Sequence, residues 1–254
     1  MNENTIDNPS DNLSIRPNLE ALRKNVARIT TECNRPEGSV RIVAVSKTFT
    51  EDKLRVAMNA DQIRFGENKM NEGEGKINAL KNRGIKWHFI GRIQSNKIRR
   101  VFLFFDIIES IDRKEVLQKA EQFLKSKKLT KEAYLQVNIS GDAKQGGIPV
   151  EELVDWVKKN NLNHFQHCQI KGLMAIGPNT ADTKVTEACF KRLHEVFIEA
   201  QTYFPQIKTL SLGMSNDYEL AIAHGSTSIR IGTSIFGMRT QLKVKSKFGL
   251  EYRE

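Results

Sequence analysis

The sequence predicts an α/β fold closed as a single (β/α)8 barrel, the TIM-barrel architecture. Three observations lead there. Eight short apolar, β-branched runs between residues 40 and 231 alternate with helical segments. Strands joined by helices run parallel, and a count of eight favours a closed barrel over an open doubly wound sheet. The length, 254 residues with no linker or break in composition, suits one such barrel.

Each element follows from local pattern. Residues 1–16 are polar, rich in Asn, Asp and Ser, and read as a disordered tail. Pro17 then opens a helix in which Leu19, Leu22, Val26 and Ile29 keep helical spacing to about Cys33. The first strand is Val40–Ser46. A helix follows, with Thr50 as N-cap and Glu51 and Asp52 in its first turn. Gln62–Phe65 is a strand, 68–82 a helix, Trp87–Ile90 a strand and 95–103 a helix. Ile107–Ser110 is a strand, 112–127 a helix, Tyr134–Ile139 a strand and Val150–Lys159 a helix. Ile170–Ala175 precedes a long helix at 183–203 that stops near Pro205. Leu210–Leu212, a helix at Asn216–His224 and the last strand Ile229–Ile231 complete the set. The barrel is expected over 17–240, followed by a basic C-terminal tail at 241–254.

Composition narrows the function classes. Charged residues at 28% and apolar ones at 39% indicate a globular protein with a sizeable core. No apolar run reaches the roughly 20 residues that span a bilayer, so no membrane partner is expected. The N-terminus lacks the basic start and apolar stretch of a signal peptide, which points to the cytoplasm. Cys33, Cys168 and Cys189 are widely spaced and odd in number. They suggest buried thiols rather than a disulfide framework or a metal site. The net charge of +10 raises nucleic acid as a class. The basic runs at Lys97–Arg100, Lys125–Lys128 and Lys243–Lys247 carry no aromatic interleaving and read as solvated faces, so no nucleic-acid partner is expected.

Barrel chemistry sits at the C-terminal ends of the strands. Polar and glycine residues gather there: Ser46 and Lys47; Gly66, Glu67 and Asn68; Gly91, Arg92, Gln94, Ser95 and Asn96; Asn138, Ser140 and Lys144; Gly213, Met214 and Ser215; Gly232, Thr233 and Ser234. Lys47 follows an apolar strand, where a lysine either reaches to water or occupies the barrel mouth as a nucleophile towards aldehydes. The two last exits combine glycines, hydroxyls and helix starts, the elements of a phosphate site. The same residues also allow plain capping, with Asn216 as cap and Glu219 closing a capping box.

Six stretches together resemble the pyridoxal phosphate homeostasis family, whose members are similar to the N-terminal barrel of alanine racemase. They are Ala44-Val45-Ser46-Lys47, Phe65-Gly66-Glu67-Asn68, Trp87-His88-Phe89-Ile90-Gly91 with Gln94-Ser95-Asn96-Lys97, Gly172-Leu173-Met174-Ala175-Ile176, Leu212-Gly213-Met214-Ser215, and Arg230-Ile231-Gly232-Thr233-Ser234-Ile235-Phe236-Gly237. The resemblance implies pyridoxal 5'-phosphate (PLP) as cofactor, with Lys47 forming a Schiff base to it. It implies that Ser215, Gly232 and Thr233 bind the phosphate, that Arg230 faces the pyridine nitrogen and that Asn68 lines the pocket beside the ring. Arg230 and Gly232 are two apart on one strand and so share a face. Departures from the family pattern are Arg92 in place of proline, the loop Ser140–Gly146 without the serine before Lys144, and Gly177 before Pro178. They touch the rim of the site.

A cation at the pyridine nitrogen disfavours its protonation and weakens the ring as an electron sink. Racemases of this barrel type add a tyrosine base from a second domain. Only a short stretch follows the last strand here, and none of Tyr134, Tyr203, Tyr218 and Tyr252 falls at a strand exit. The expected role is therefore a monomeric carrier or buffer of PLP in intracellular cofactor and amino-acid homeostasis, without robust catalysis. PLP-dependent client enzymes are the partners such a role allows. The alternative is a racemase-like enzyme of low activity.

Overall fold

A computed structural model describes residues 9–81, 84–142 and 144–238, with side chains from residue 12 onward. The stretches 1–8 and 239–254, which include the expected basic tail, lie outside the described residues.

Eight strands close into a parallel barrel. They are β1 (Arg41–Val45), β2 (Arg64–Glu67), β3 (Lys86–Phe89), β4 (Ile107–Ile111), β5 (Lys131–Asn138), β7 (Cys168–Ala175), β8 (Thr209–Ser211) and β9 (Ser228–Ile231). The order β4-β3-β2-β1-β9-β8-β7-β5 is closed by pairing of β4 with β5. The two-residue β6 (Ile148–Pro149) adds to the outer end of β5. Helices α2 (Glu51–Met58), α3 (Met70–Ala79), α4 (Ile98–Phe104), α5 (Lys114–Lys127), α6 (Leu153–Asn160), α7 (Thr183–Tyr203), α8 (Tyr218–Ala223) and α9 (Thr233–Phe236) follow the strands. The main core lies between the barrel wall and these helices. Inside the barrel, Ile107, Tyr134 and Met174 form a small separate apolar cluster.

Several element boundaries shift by two or three residues from expectation, among them the starts of β5 and β7, and three departures have identifiable reasons. Helix α1 runs Pro9–Glu32, so it begins eight residues before Pro17, in what the composition suggested was tail. Ile15 and Leu19 are fully buried, and this packing holds the first turns in place. Pro17 is tolerated because it lies on the exposed side, where the carbonyl it leaves without an N–H donor meets water. Strand β2 ends at Glu67, two residues later than expected. Gln62 is not a strand residue; its Nε2 donates to the carbonyls of Ile42 (3.0 Å) and Arg64 (2.7 Å). Gly66 and Glu67 therefore continue the ladder, with Val45 opposite Gly66. Helix α8 starts at Tyr218 with Asp217, not Asn216, at the N-cap position.

Helix α1 flanks the seam between the last and first strands. Asn18 Nδ2 donates to the Ile235 carbonyl (3.1 Å), Arg35 to that of Ile222 (2.9 Å), and Asn25 to the Tyr218 hydroxyl (2.7 Å). Cys168 is buried and burial pushes its thiol pKa up, whereas Cys33 and Cys189 are only half-buried. Among the described residues, no helix is long and apolar enough to cross a membrane.

Candidate functional site

The six residues assigned to the cofactor lie at the ends of four consecutive strands, β8-β9-β1-β2; Arg230 is on β9 itself and the other five follow the strand ends. Val43 lies opposite Arg230 and Ala44 opposite Ile231, so the exits of β9 and β1 are neighbours. A β-carbon at Gly232 would sit 3.4 Å from the Val45 carbonyl oxygen, which places the β9 exit directly against the strand end that carries Lys47. Lys47 is half-buried there. Asn68 follows β2 on the other side and is also half-buried. Gly91 fixes its position: a β-carbon at Gly91 would lie 2.0 Å from the Asn68 carbonyl oxygen, so only glycine lets the β3 exit approach this closely. Asn68 also lines a cavity of about 450 Å3 further out, with Phe89, Arg92, Gln94 and Lys97.

The backbone around Lys47 is held from both sides by a buried polar cluster. Ser46 Oγ donates to Glu67 Oε1 (2.6 Å). The buried Lys76 on α3 donates to the Ser46 carbonyl (2.7 Å), Glu67 Oε1 (2.8 Å) and Glu72 Oε1 (2.6 Å). The Thr48 amide donates to the Glu72 carboxylate. Thr48 itself stands at φ +71°, an uncommon conformation for a residue with a branched side chain. Lys47 thus sits on a sharp turn whose two neighbours are tied to α3. Burial pushes the Glu67 carboxyl pKa up, against the pull of Lys76 and Ser46. Sequence reasoning noted Ser46 and Glu67 as exit residues but missed Lys76 and Glu72. Their i, i+4 spacing along α3 was the available signal.

At the β8 and β9 exits the chain makes the tight turns that the glycines foretold. Gly213 has φ +100°, and a β-carbon there would lie 2.7 Å from that of Ala221. Its carbonyl accepts the Arg230 amide (2.9 Å), joining the two exits. Ser215 is half-buried, Gly232 half-buried and Thr233 exposed at the start of α9. The capping alternative is not what these residues do. Asp217 Oδ1 accepts the Met214 amide (2.6 Å), and Glu219 accepts from Asn25 of α1 (2.7 Å). Among the described residues neither Ser215 nor Thr233 uses its hydroxyl within the protein.

Arg230 is 4% exposed and points into the barrel. One terminal nitrogen donates to the carbonyl (2.8 Å) and the hydroxyl (2.7 Å) of Ser211, the other to the Ala175 carbonyl (2.7 Å). Burial lowers its pKa, while Glu109 and Asp217 act in the opposite direction.

An amine at one strand exit, hydroxyls and glycine turns at the next two exits along the wall, and a guanidinium beneath them form a donor set suited to an anionic carbonyl compound. A (β/α)8 barrel with that mouth is a barrel of the alanine racemase N-terminal type, and the model of the family "Alanine racemase, N-terminal domain" matches residues 18–240. The chain is 37% identical over 235 residues to the pyridoxal phosphate homeostasis protein of Pasteurella multocida, covering 91% of this chain and all of that protein. It is 36% identical over 233 residues to that of Escherichia coli K12, covering 90% and 98%. Among solved structures, PipY of Synechococcus elongatus with PLP bound superposes with a TM-score of 0.75 at 31% identity, over 88% of this chain and 100% of that one. Alanine racemase of E. faecalis superposes at 0.64 with 16% identity, over 90% of this chain and 59% of that one, a likeness of fold. The chain belongs to the pyridoxal phosphate homeostasis protein family.

Proposed function

We propose that this chain binds PLP at the barrel mouth and carries or buffers it in the cell, rather than catalysing a robust reaction. The observation that carries the reading is the juxtaposition of Lys47 at the β1 exit with the glycine turn of Gly232 at the β9 exit. Bound PLP supplies an aldehyde that an amine can hold covalently and a phosphate dianion. Lys47 is the amine, presented on the turn that Glu72 and Lys76 hold. Ser215, Thr233 and the backbone at Gly232 retain the phosphate by charge-assisted hydrogen bonds. Arg230 faces the ring nitrogen and, as a cation, withholds a proton from it. Asn68 lines the side of the pocket.

The placement of the tyrosines supports a carrier over a racemase. Tyr134 is buried with Ile107 and Met174 inside the barrel, the Tyr218 hydroxyl accepts from Asn25 of α1, and Tyr203 lies under Lys158 on the outer surface. None of these three presents a hydroxyl at the mouth; Tyr252 lies outside the described residues. The proposal includes a cytoplasmic location, a monomer, and hand-over of PLP to dependent client enzymes.

The test is spectroscopic. Purified protein mixed with PLP should show the visible band of a lysine-bound cofactor and a borohydride-trapped adduct at Lys47. Lys47→Ala should lose both while keeping weaker, phosphate-dependent binding. An unchanged adduct in Lys47→Ala overturns the assignment, and rapid interconversion of D- and L-amino acids by the loaded wild type overturns the carrier reading.

A further inference from the structure

A chain of polar side chains crosses the barrel interior beneath the mouth. Parallel pairing with side-chain alternation puts His88 of β3, Glu109 of β4, Ser211 of β8 and Arg230 of β9 on the inner face. All four are 0–4% exposed. The hydrogen bonds converge on Glu109 from both sides. Arg230 donates to Ser211 Oγ (2.7 Å), and Ser211 Oγ donates to Glu109 Oε2 (2.6 Å). Glu109 Oε1 pairs with His88 Nδ1 at 2.6 Å. A serine hydroxyl can accept one hydrogen bond and donate another, so the order is chemically consistent from guanidinium to carboxylate, and a proton on His88 Nδ1 lets the imidazole donate to the other carboxylate oxygen.

We propose that Ser211, Glu109 and His88 are positioning residues that fix the Arg230 guanidinium under the cofactor ring and supply its counter-charge. The inference rests on the reading of the mouth given above. Four polar groups in a dry interior each carry a desolvation cost, and apolar residues of similar volume would pack there at least as well. Stability alone therefore gives no reason for the chain. What it accomplishes is to hold one cation in one place. Among the described residues, Arg230 donates to the carbonyls of Ser211 and Ala175 and to the Ser211 hydroxyl. The two acidic groups that act on it electrostatically are Glu109 and Asp217. Asp217 is tied to the Met214 amide at the β8 exit. Glu109 is the anion linked to the guanidinium through a hydrogen-bonded bridge, and His88 holds its second oxygen.

The test compares Arg230→Gln, Glu109→Gln, Ser211→Ala and, as a control in the same interior, Tyr134→Phe. In the PLP-loaded protein the first three should move the visible band, Ser211→Ala less than Arg230→Gln. Affinity for PLP should change less than about threefold in Ser211→Ala, because the phosphate contacts are untouched. Tyr134→Phe should leave the band where it is. A band unmoved in Glu109→Gln and Ser211→Ala overturns the proposal, as does one moved equally by Tyr134→Phe. A second readout needs no cofactor: the His88 Nδ1 proton resonance in the unloaded protein should shift in Ser211→Ala and Arg230→Gln. A resonance indifferent to both overturns the proposal. Should the wild type show no cofactor band, the reading of the mouth fails, and the His88 resonance alone decides whether Ser211 and Glu109 couple His88 to Arg230.

Discussion

Glu67 and Glu109 are both 0% exposed, yet their environments move them in opposite directions. Glu67 has an ammonium 2.8 Å away and a serine hydroxyl at 2.6 Å, and its pKa is still raised. Glu109 has no ion-pair contact with a lysine or arginine among the described residues, and its pKa is lowered: burial pushes it up, and His88, Arg230 and Ser211 more than offset that. The geometry explains the contrast. Both donors to Glu67 converge on Oε1, and among the described residues buried Oε2 has no hydrogen-bond partner. In Glu109 each oxygen has its own partner. A charge spread over two oxygens is stabilised by donors at both, and nearby charge works the same way: His88 and Arg230 pull Glu109 down, whereas Glu72 adds a like charge beside Glu67. The difference suits the two places. The cluster beside Lys47 holds a backbone turn and does not require a full charge on Glu67. The barrel interior has to balance a guanidinium.

The comparison can be broken most severely at Glu109. Glu109→Ala strands Arg230 and His88 in the interior and should cost about 3–5 kcal/mol of stability, read as a fall in the urea midpoint. A loss under about 1 kcal/mol would mean that water or a rearranged side chain replaces the carboxylate. Lys76→Met should cost less, about 1–3 kcal/mol at neutral pH, since Glu67 can escape by taking up a proton. Its pH dependence runs in the same direction as that of an ordinary salt-bridge loss, although the folded carboxyl here is raised and not depressed. A carboxyl raised in the folded state penalises folding above its unfolded value of 4.5, and the penalty vanishes below it. The deficit of Lys76→Met should therefore be smallest in acid and grow towards neutrality.

Ser46→Ala removes one of the two donors to Glu67 and should cost about 1 kcal/mol, with the midpoint again the measure. The smallest effect expected is a change of slope. Glu109 is depressed below 4.5 when folded, so its contribution is complete above that value and is lost as pH falls through the folded pKa. Glu109→Gln should thus flatten the acid limb of the stability curve, whereas Ser46→Ala should leave that limb unchanged. Equal slopes in wild type and Glu109→Gln would show that other carboxylates dominate acid unfolding.

Much of this molecule was legible in the order of its residues. All eight barrel strands were, because apolar β-branched runs between amphipathic helices have few other solutions. Lys47, Ser215, Arg230 and Gly232 were marked by position, since strand exits place residues at the mouth whatever the details of packing. The first turns of α1 were not legible. Residues 9–16 have the composition of a tail, and only Ile15 docking into the core reveals a helix. Neither was the end of β2, because Gly66 and Glu67 look like turn residues until Lys76 covers them.

The sequence by itself determined the barrel, its strand order and the line of residues around its mouth, because these depend on local periodicity and on the rule that helical crossovers make strands parallel. Tertiary structure alone decided which polar groups meet. His88 and Glu109 are 21 residues apart, and Glu109 and Ser211 are 102 apart. Closure of the barrel brings β3, β4, β8 and β9 around one interior. There a hydrogen bond depends on register to within an ångström, and separation along the chain carries no such information.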